Sequence, residues 1–221
     1  MLRLAARLVS FAFHPLLILT YMLVLLLLIN PYLFGINHIG NEFSRILILQ
    51  FFLFTFFIPA FSIFMLRTLG LVKTPDLRER TDRIGPYIIT GVLYLWLYQN
   101  ILANNQVPTV FSVFMLGCTI ALFLAFFINI FSRISAHTVG MGALIGMLAI
   151  VMPQYSYGTF SIGLDSIRWE VTVLSLFMTT IVLAGLVGTA RLILLQHKNA
   201  DLYGGYLVGF LAQLLALGIL M

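Results

Sequence analysis

Apolar runs broken by short polar links repeat from Phe11 to the end of the chain. They cover about 11–29, 46–66, 86–102, 109–130, 135–152, 171–195 and 202–220. Each is close to the roughly 20 residues that a helix needs to cross a hydrocarbon core about 30 Å thick. The breaks are chemically legible. Asn30-Pro31 ends the first run, Pro86 suits the first turn of the third, Ser135 suits the N-cap of the fifth, and Met152-Pro153 closes it. Pro59 falls inside the second run and predicts a kink there. His14-Pro15 fits a helix start better than an interior. The pattern predicts an all-α polytopic transmembrane bundle of about seven spans, with six as the alternative count, in a single membrane domain over residues 1–221.

Composition agrees with a chain built for lipid. Of 221 residues, 62% are hydrophobic and 9% charged, against about 25% charged in a soluble domain. Mean hydropathy is +1.09. The N-terminal stretch carries Arg3 and Arg7 ahead of a run long enough to span, so it reads as a retained first helix rather than a cleaved signal. The single Cys118 excludes an intrachain disulfide.

The net charge of +5 comes from 12 Lys/Arg against 7 Asp/Glu. The bases gather beside spans, so anionic lipid head groups or anionic substrates explain them, and nucleic acid is not expected as a partner. With seven spans, stretches 1–10, 67–85, 131–137 and 191–201 share one face. Of the Lys/Arg, only Arg45 and Arg168 fall on the other. The positive-inside rule makes the basic face cytoplasmic, with the periplasmic face of a bacterial inner membrane as the alternative.

Three polar clusters on that face carry candidate chemistry. Arg191, His197 and Asp201 lie within eleven residues between two apolar runs. A helix end near Leu195 and a new helix from Asp201 would bring them together. A carboxylate four residues from an imidazole fixes its tautomer and leaves the other nitrogen to attack. His137 stands in the first turn of the fifth run, where unpaired N–H groups favour phosphate. Lys73, Arg78, Arg80 and Arg83 alternate with Asp76, Glu79 and Asp82, so some pair with neighbouring carboxylates or anchor the chain at the head groups. Gly142 and Gly146, and Gly205 and Gly209, form two GxxxG spacings that predict close packing of the fifth and seventh runs. His14 and His38 receive no role. No metal or cofactor site is expected: two histidines and one aspartate ringed by bases would repel a divalent ion, and the sequence holds no nucleotide loop or HExxH.

The three clusters together resemble the type 2 phosphatidic acid phosphatase (PAP2) superfamily of membrane lipid phosphatases. The family's third signature, Ser-Arg, five residues, His, three residues, Asp, stands here as Ala190-Arg191, His197 and Asp201. Its Pro-Ser-Gly-His signature stands as Ile134-Ser135-Ala136-His137. Lys, six residues, Arg-Pro stands as Lys73 and Arg80-Thr81, so the motif-bearing core runs over 73–201. The resemblance implies metal-independent hydrolysis of a lipid phosphate or diphosphate, of phosphatidate, phosphatidylglycerol phosphate, polyprenyl diphosphate or lipid A type. His197 would be the nucleophile held by Asp201, and His137 the acid and base. Lys73, Arg80, Ser135, Ala136 and Arg191 would hold the phosphoryl group. An inactive membrane protein that binds lipid phosphate or a membrane partner is the alternative, and the oligomeric state is not legible.

Overall fold

The computed structural model describes residues 1–71, 81–102, 107–164 and 167–221, with side chains given for all of these except 163–164 and 167–168. Lys73, Arg78 and Arg80 lie outside the described residues, as does Asp165. The chain is a helical bundle. Its helices are α1 (Leu2–Ala12), α2 (Ile18–Ile29), α3 (Glu42–Phe52), α4 (Ile58–Thr68), α5 (Ile84–Leu102), α6 (Thr109–Phe131), α7 (Ala136–Gln154), α8 (Val173–Ile193) and α9 (Asn199–Leu220).

Six helical segments among the described residues are long and apolar enough to cross a membrane: Leu2–Ile29, Glu42–Thr68, α6, α7, α8 and α9. α5 is not among them, because three tyrosines and Gln99-Asn100 dilute its apolar content. It nevertheless runs antiparallel along α6. The Tyr87 ring lies 6.1 Å from Phe126, while Gly91, one turn further on, faces Phe123 and Leu122. Among the described residues six segments therefore meet the length and hydropathy of a span, against the count of about seven expected from the apolar runs.

The first two apolar segments are interrupted where the prolines fall. α1 stops at Phe13, His14 turns extended (φ −64°, ψ 136°), and Pro15 opens a short 3-10 turn leading into α2. In the second segment the irregularity is a π turn over Leu53–Phe57, just before Pro59. Pro59 has no N–H for the carbonyl one turn earlier, and a π turn is one way for a helix to absorb that loss. Inside this turn the Thr55 hydroxyl meets that of Thr20 at 3.1 Å, which gives two buried polar groups a partner.

Leu23, Leu26, Phe111, Phe114 and Met147, all essentially inaccessible, centre the core between α2, α6 and α7. Across from them, α7 and α9 pack backbone to backbone. A Cβ on Gly142 would strike the Tyr206 carbonyl, and one on Gly209 would strike the Val139 carbonyl and come within 2.7 Å of the Ala143 nitrogen. Glycine at these positions is what lets the two helices approach so closely, as the small-residue spacing predicts.

The link between α7 and α8, read from sequence as a polar loop, is an antiparallel hairpin of β1 (Thr159–Leu164) and β2 (Ile167–Thr172). Thr159 pairs with Thr172 and Phe160 with Val171. Phe160 is buried, while Trp169, on the same face of the hairpin two residues from Val171, is exposed. The hairpin caps the end of the bundle remote from His137 and His197, where Asn30 Nδ2 also ties α2 to the Tyr155 carbonyl across 2.9 Å.

Candidate active site

At the opposite end, the start of α7, the end of α8 and the link from α8 into α9 line a cavity of about 810 Å³. Its polar lining includes Arg83, Arg133, His137, Arg191 and His197, while Phe11, Leu16, Leu122 and Leu194 are part of its apolar wall. Two of the three sequence clusters thus come together, joined by Arg83 from the third. Of that third cluster, Lys73, Arg78 and Arg80 are outside the described residues.

The local chain path explains how. α8 ends at Ile193, and Leu195 takes a left-handed conformation (φ 54°). Its N–H donates to the Leu192 carbonyl at 2.9 Å, while the Gln196 N–H reaches back to Arg191 at 3.3 Å. This helix stop resembles those normally made with glycine. The chain reverses through Gln196 and His197 and re-enters a helix at Asn199. Arg191, in the last turn of α8, is thereby buried beside the turn that carries His197, where a cation also suits the negative end of the helix.

His197 Nδ1 lies 3.4 Å from Asp201 Oδ2, and its side chain is only 3% exposed. The same carboxylate oxygen accepts the Lys198 N–H at 3.1 Å, so Asp201 caps α9 while it lies beside the ring. Burial, then the Arg83 and Arg191 guanidinium groups, pull the His197 pKa down to about 4, against the smaller upward pull of Asp201. The ring is neutral at physiological pH, as a nucleophile must be. Arg83 donates from Nη1 to the Ile134 carbonyl at 3.1 Å and so fixes the backbone just before α7. Burial lowers its pKa; Tyr87 and Asp201 oppose that shift, and Arg133 adds to it.

Ala136 and His137 line the cavity from the first turn of α7. Ser135 occupies the N-cap position as expected but makes no side-chain cap bond; its hydroxyl is fully buried without a protein partner among the described residues, and Ser135 is not among the residues lining the cavity. Its backbone N–H donates instead to the Asp201 carbonyl at 3.3 Å. His137 Nε2 meets the Ser10 carbonyl at 3.0 Å. A carbonyl only accepts, so Nε2 carries the hydrogen and Nδ1 is the nitrogen left for proton exchange.

The sequence places residues 1–10 on the same face as the three clusters but gives α1 no part in the site. Arg3, Arg7, Ser10 and His14 all line the cavity. The one local signal was the His14-Pro15 break, which turns α1 back over the site; the approach of α1 to α7 is a tertiary contact with no sequence periodicity of its own. Among the described residues no group of three or more His, Cys, Asp or Glu is arranged to hold a metal ion. No protein-family model, curated protein or solved structure matches the chain.

Proposed function

We propose that this protein is a metal-independent phosphatase of the PAP2 type, acting on a phosphate or diphosphate ester of a membrane lipid. The observation that carries the reading is one cavity shared by two imidazoles from separate elements. His197 is held by a carboxylate at 3.4 Å, and three arginines, Arg83, Arg133 and Arg191, surround the pair.

In this reading the phosphoryl oxygens lie against Arg191, Arg83 and the Ala136 N–H, with Lys73 and Arg80 assigned to the same anion by their motif spacing. The bidentate fork of Arg191 suits two equatorial oxygens. His197 Nε2 attacks phosphorus and the P–O bond to the lipid breaks. Protonated His137 gives its Nδ1 proton to the departing oxygen. Neutral His137 then takes a proton from water as the water oxygen attacks phosphorus. The N–P bond breaks, inorganic phosphate leaves, and His197 is restored. Asp201 keeps the Nδ1 hydrogen of His197 in place and offsets positive charge as the N–P bond forms. The apolar walls favour a lipid ester over a soluble one, and the excess of bases at this end favours the cytoplasmic face of a bacterial inner membrane.

The test is inorganic phosphate release from a panel of lipid mono- and diphosphates, in detergent with chelator, for the wild type and His197→Asn. Chelator-resistant release that vanishes in the variant supports the proposal. Release that persists in the variant removes His197 as nucleophile. Saturable lipid phosphate binding without release points to the binder, a reading favoured by the structural use of Asp201 as a helix cap.

A further inference from the structure

Three imidazoles line the cavity, and the phosphatase reading uses two. The third, His14, sits at the extended residue between α1 and α2, far in sequence from every motif discussed above. Its ring stands edge-on to His137, centroids 5.6 Å apart and planes at 78°, and Phe56 borders it at 6.3 Å. His14 Nδ1 accepts the Leu16 N–H at 3.4 Å, capping the 3-10 turn that Pro15 starts. A ring whose Nδ1 accepts carries its hydrogen on Nε2. No protein group among the described residues takes that hydrogen.

A second feature places this donor beside His137. His137 has its Nε2–H committed to the Ser10 carbonyl, four residues before His14 on the same segment. α1 and the His14 turn therefore hold the His137 ring from one side and present an uncommitted N–H donor beside it. Arginines supply charge to this cavity, but His14 supplies a short, neutral, rigid donor.

We propose that His14 is a third phosphate-contacting imidazole, whose Nε2–H donates to an oxygen of the phosphoryl group bound between Arg191 and His197, on the side next to His137. The proposal rests on the phosphatase reading for the identity of the ligand. No bond is made or broken at His14. It contributes a hydrogen bond to the anion in both the bound substrate and the phosphohistidine.

A purely structural role is the competitor, since His14 also caps a turn. Two substitutions separate the roles, because asparagine places an acceptor where Nδ1 was and glutamine places a donor near the Nε2 position. Orthovanadate is the probe, a soluble tetrahedral oxyanion whose binding needs no turnover. Its affinity is measured by equilibrium dialysis on the full chain in detergent, alongside phosphate release from the lipid panel and the unfolding midpoint.

A donor role requires His14→Asn to weaken vanadate binding by about 10-fold or more, the weight of one hydrogen bond to a charged oxygen, with an unchanged unfolding midpoint. His14→Gln then stays within about 3-fold of wild type in affinity and shows a lowered midpoint from the lost cap. The reverse pattern, or no change in affinity in either variant, overturns the proposal, as does a wild type that binds no vanadate. Wild-type vanadate binding with the predicted Asn and Gln pattern but no phosphate release refutes the phosphatase reading and leaves the His14 contact standing. Phosphate release with affinity indifferent to both variants does the opposite.

Discussion

The backbone N–H of Ser135 donates to the backbone carbonyl of Asp201 across 3.3 Å, so the first turn of α7 and the first turn of α9 are tied at the point where their two functional side chains diverge. His137 and His197 inherit their relative position from this bond and from the glycine contact below it. Because the helices touch through backbone at Gly142 and Gly209, added volume there acts directly on the register of the site.

Gly209→Val is accordingly expected to separate α7 from α9 and to destabilise the chain by about 1–3 kcal/mol, the ordinary cost of overpacking. A fall in the detergent unfolding midpoint, together with lost phosphate release, is the expected result. Gly218→Val, in the same helix where an added Cβ meets nothing, serves as the control and leaves both unchanged.

Asp201→Asn separates the two jobs of one carboxylate. The amide oxygen can still accept the Lys198 N–H, so α9 keeps its cap, while the negative charge beside His197 is lost. The unfolding midpoint is expected to stay within measurement error. Phosphate release is expected to fall by about 10²–10⁴-fold, the range set by loss of the orienting charge in comparable triads. Equal loss of stability and activity would mark Asp201 as structural only.

Leu195 carries the backbone strain of the site, with φ 54° in a region that costs an L-residue roughly 1–2 kcal/mol. Glycine removes that cost but adds about 0.5–1 kcal/mol of chain entropy. Leu195→Gly should therefore stabilise the protein by up to about 1 kcal/mol, measured as a rise in unfolding midpoint. Leu195→Val should lower it. Since Leu195 is 82% exposed, lost packing contributes little to either comparison.

The acid limb of any activity should report His197. With its pKa down at about 4 in the folded protein and near 6.5 when unfolded, the unfolded chain binds the extra proton between these values. Stability from this group therefore rises with pH from about 4 to 6.5 and is flat outside that window. Activity that needs neutral His197 should persist down to about pH 4–5. Denaturation midpoints at a series of pH values, compared between wild type and His197→Asn, test the sign: the variant should lose this part of the pH dependence.

Much of this architecture is legible in the chain because lipid makes sequence patterns emphatic. The apolar runs, the stop near Leu195 and the small-residue faces of α7 and α9 all follow from local rules, and the structure has each where those rules put it. α5 was harder, since Tyr and Gln99-Asn100 lower its hydropathy while its packing against α6 keeps it in the bundle. The β1–β2 hairpin reads as a loop because glycine, serine and tyrosine there satisfy turn rules as readily as strand rules. The approach of His197 to Asp201 is legible from their four-residue spacing, which is one helical turn. That of His14 and Ser10 to His137 is not, because they reach it across more than 120 residues through a helix break whose direction no local pattern encodes.

α1 has two unlike sides. Leu2, Leu4, Leu8 and Phe11 point outward, while Ser10, on its buried side, holds the His137 imidazole through its carbonyl. In the proposed mechanism the surrounding acyl chains and the proton-transferring ring thus press on opposite sides of one short helix. Bilayer thickness and tension, which set the tilt of such a helix, become variables of the chemistry, and turnover in reconstituted membranes should track lipid chain length even when the reacting head group is held constant.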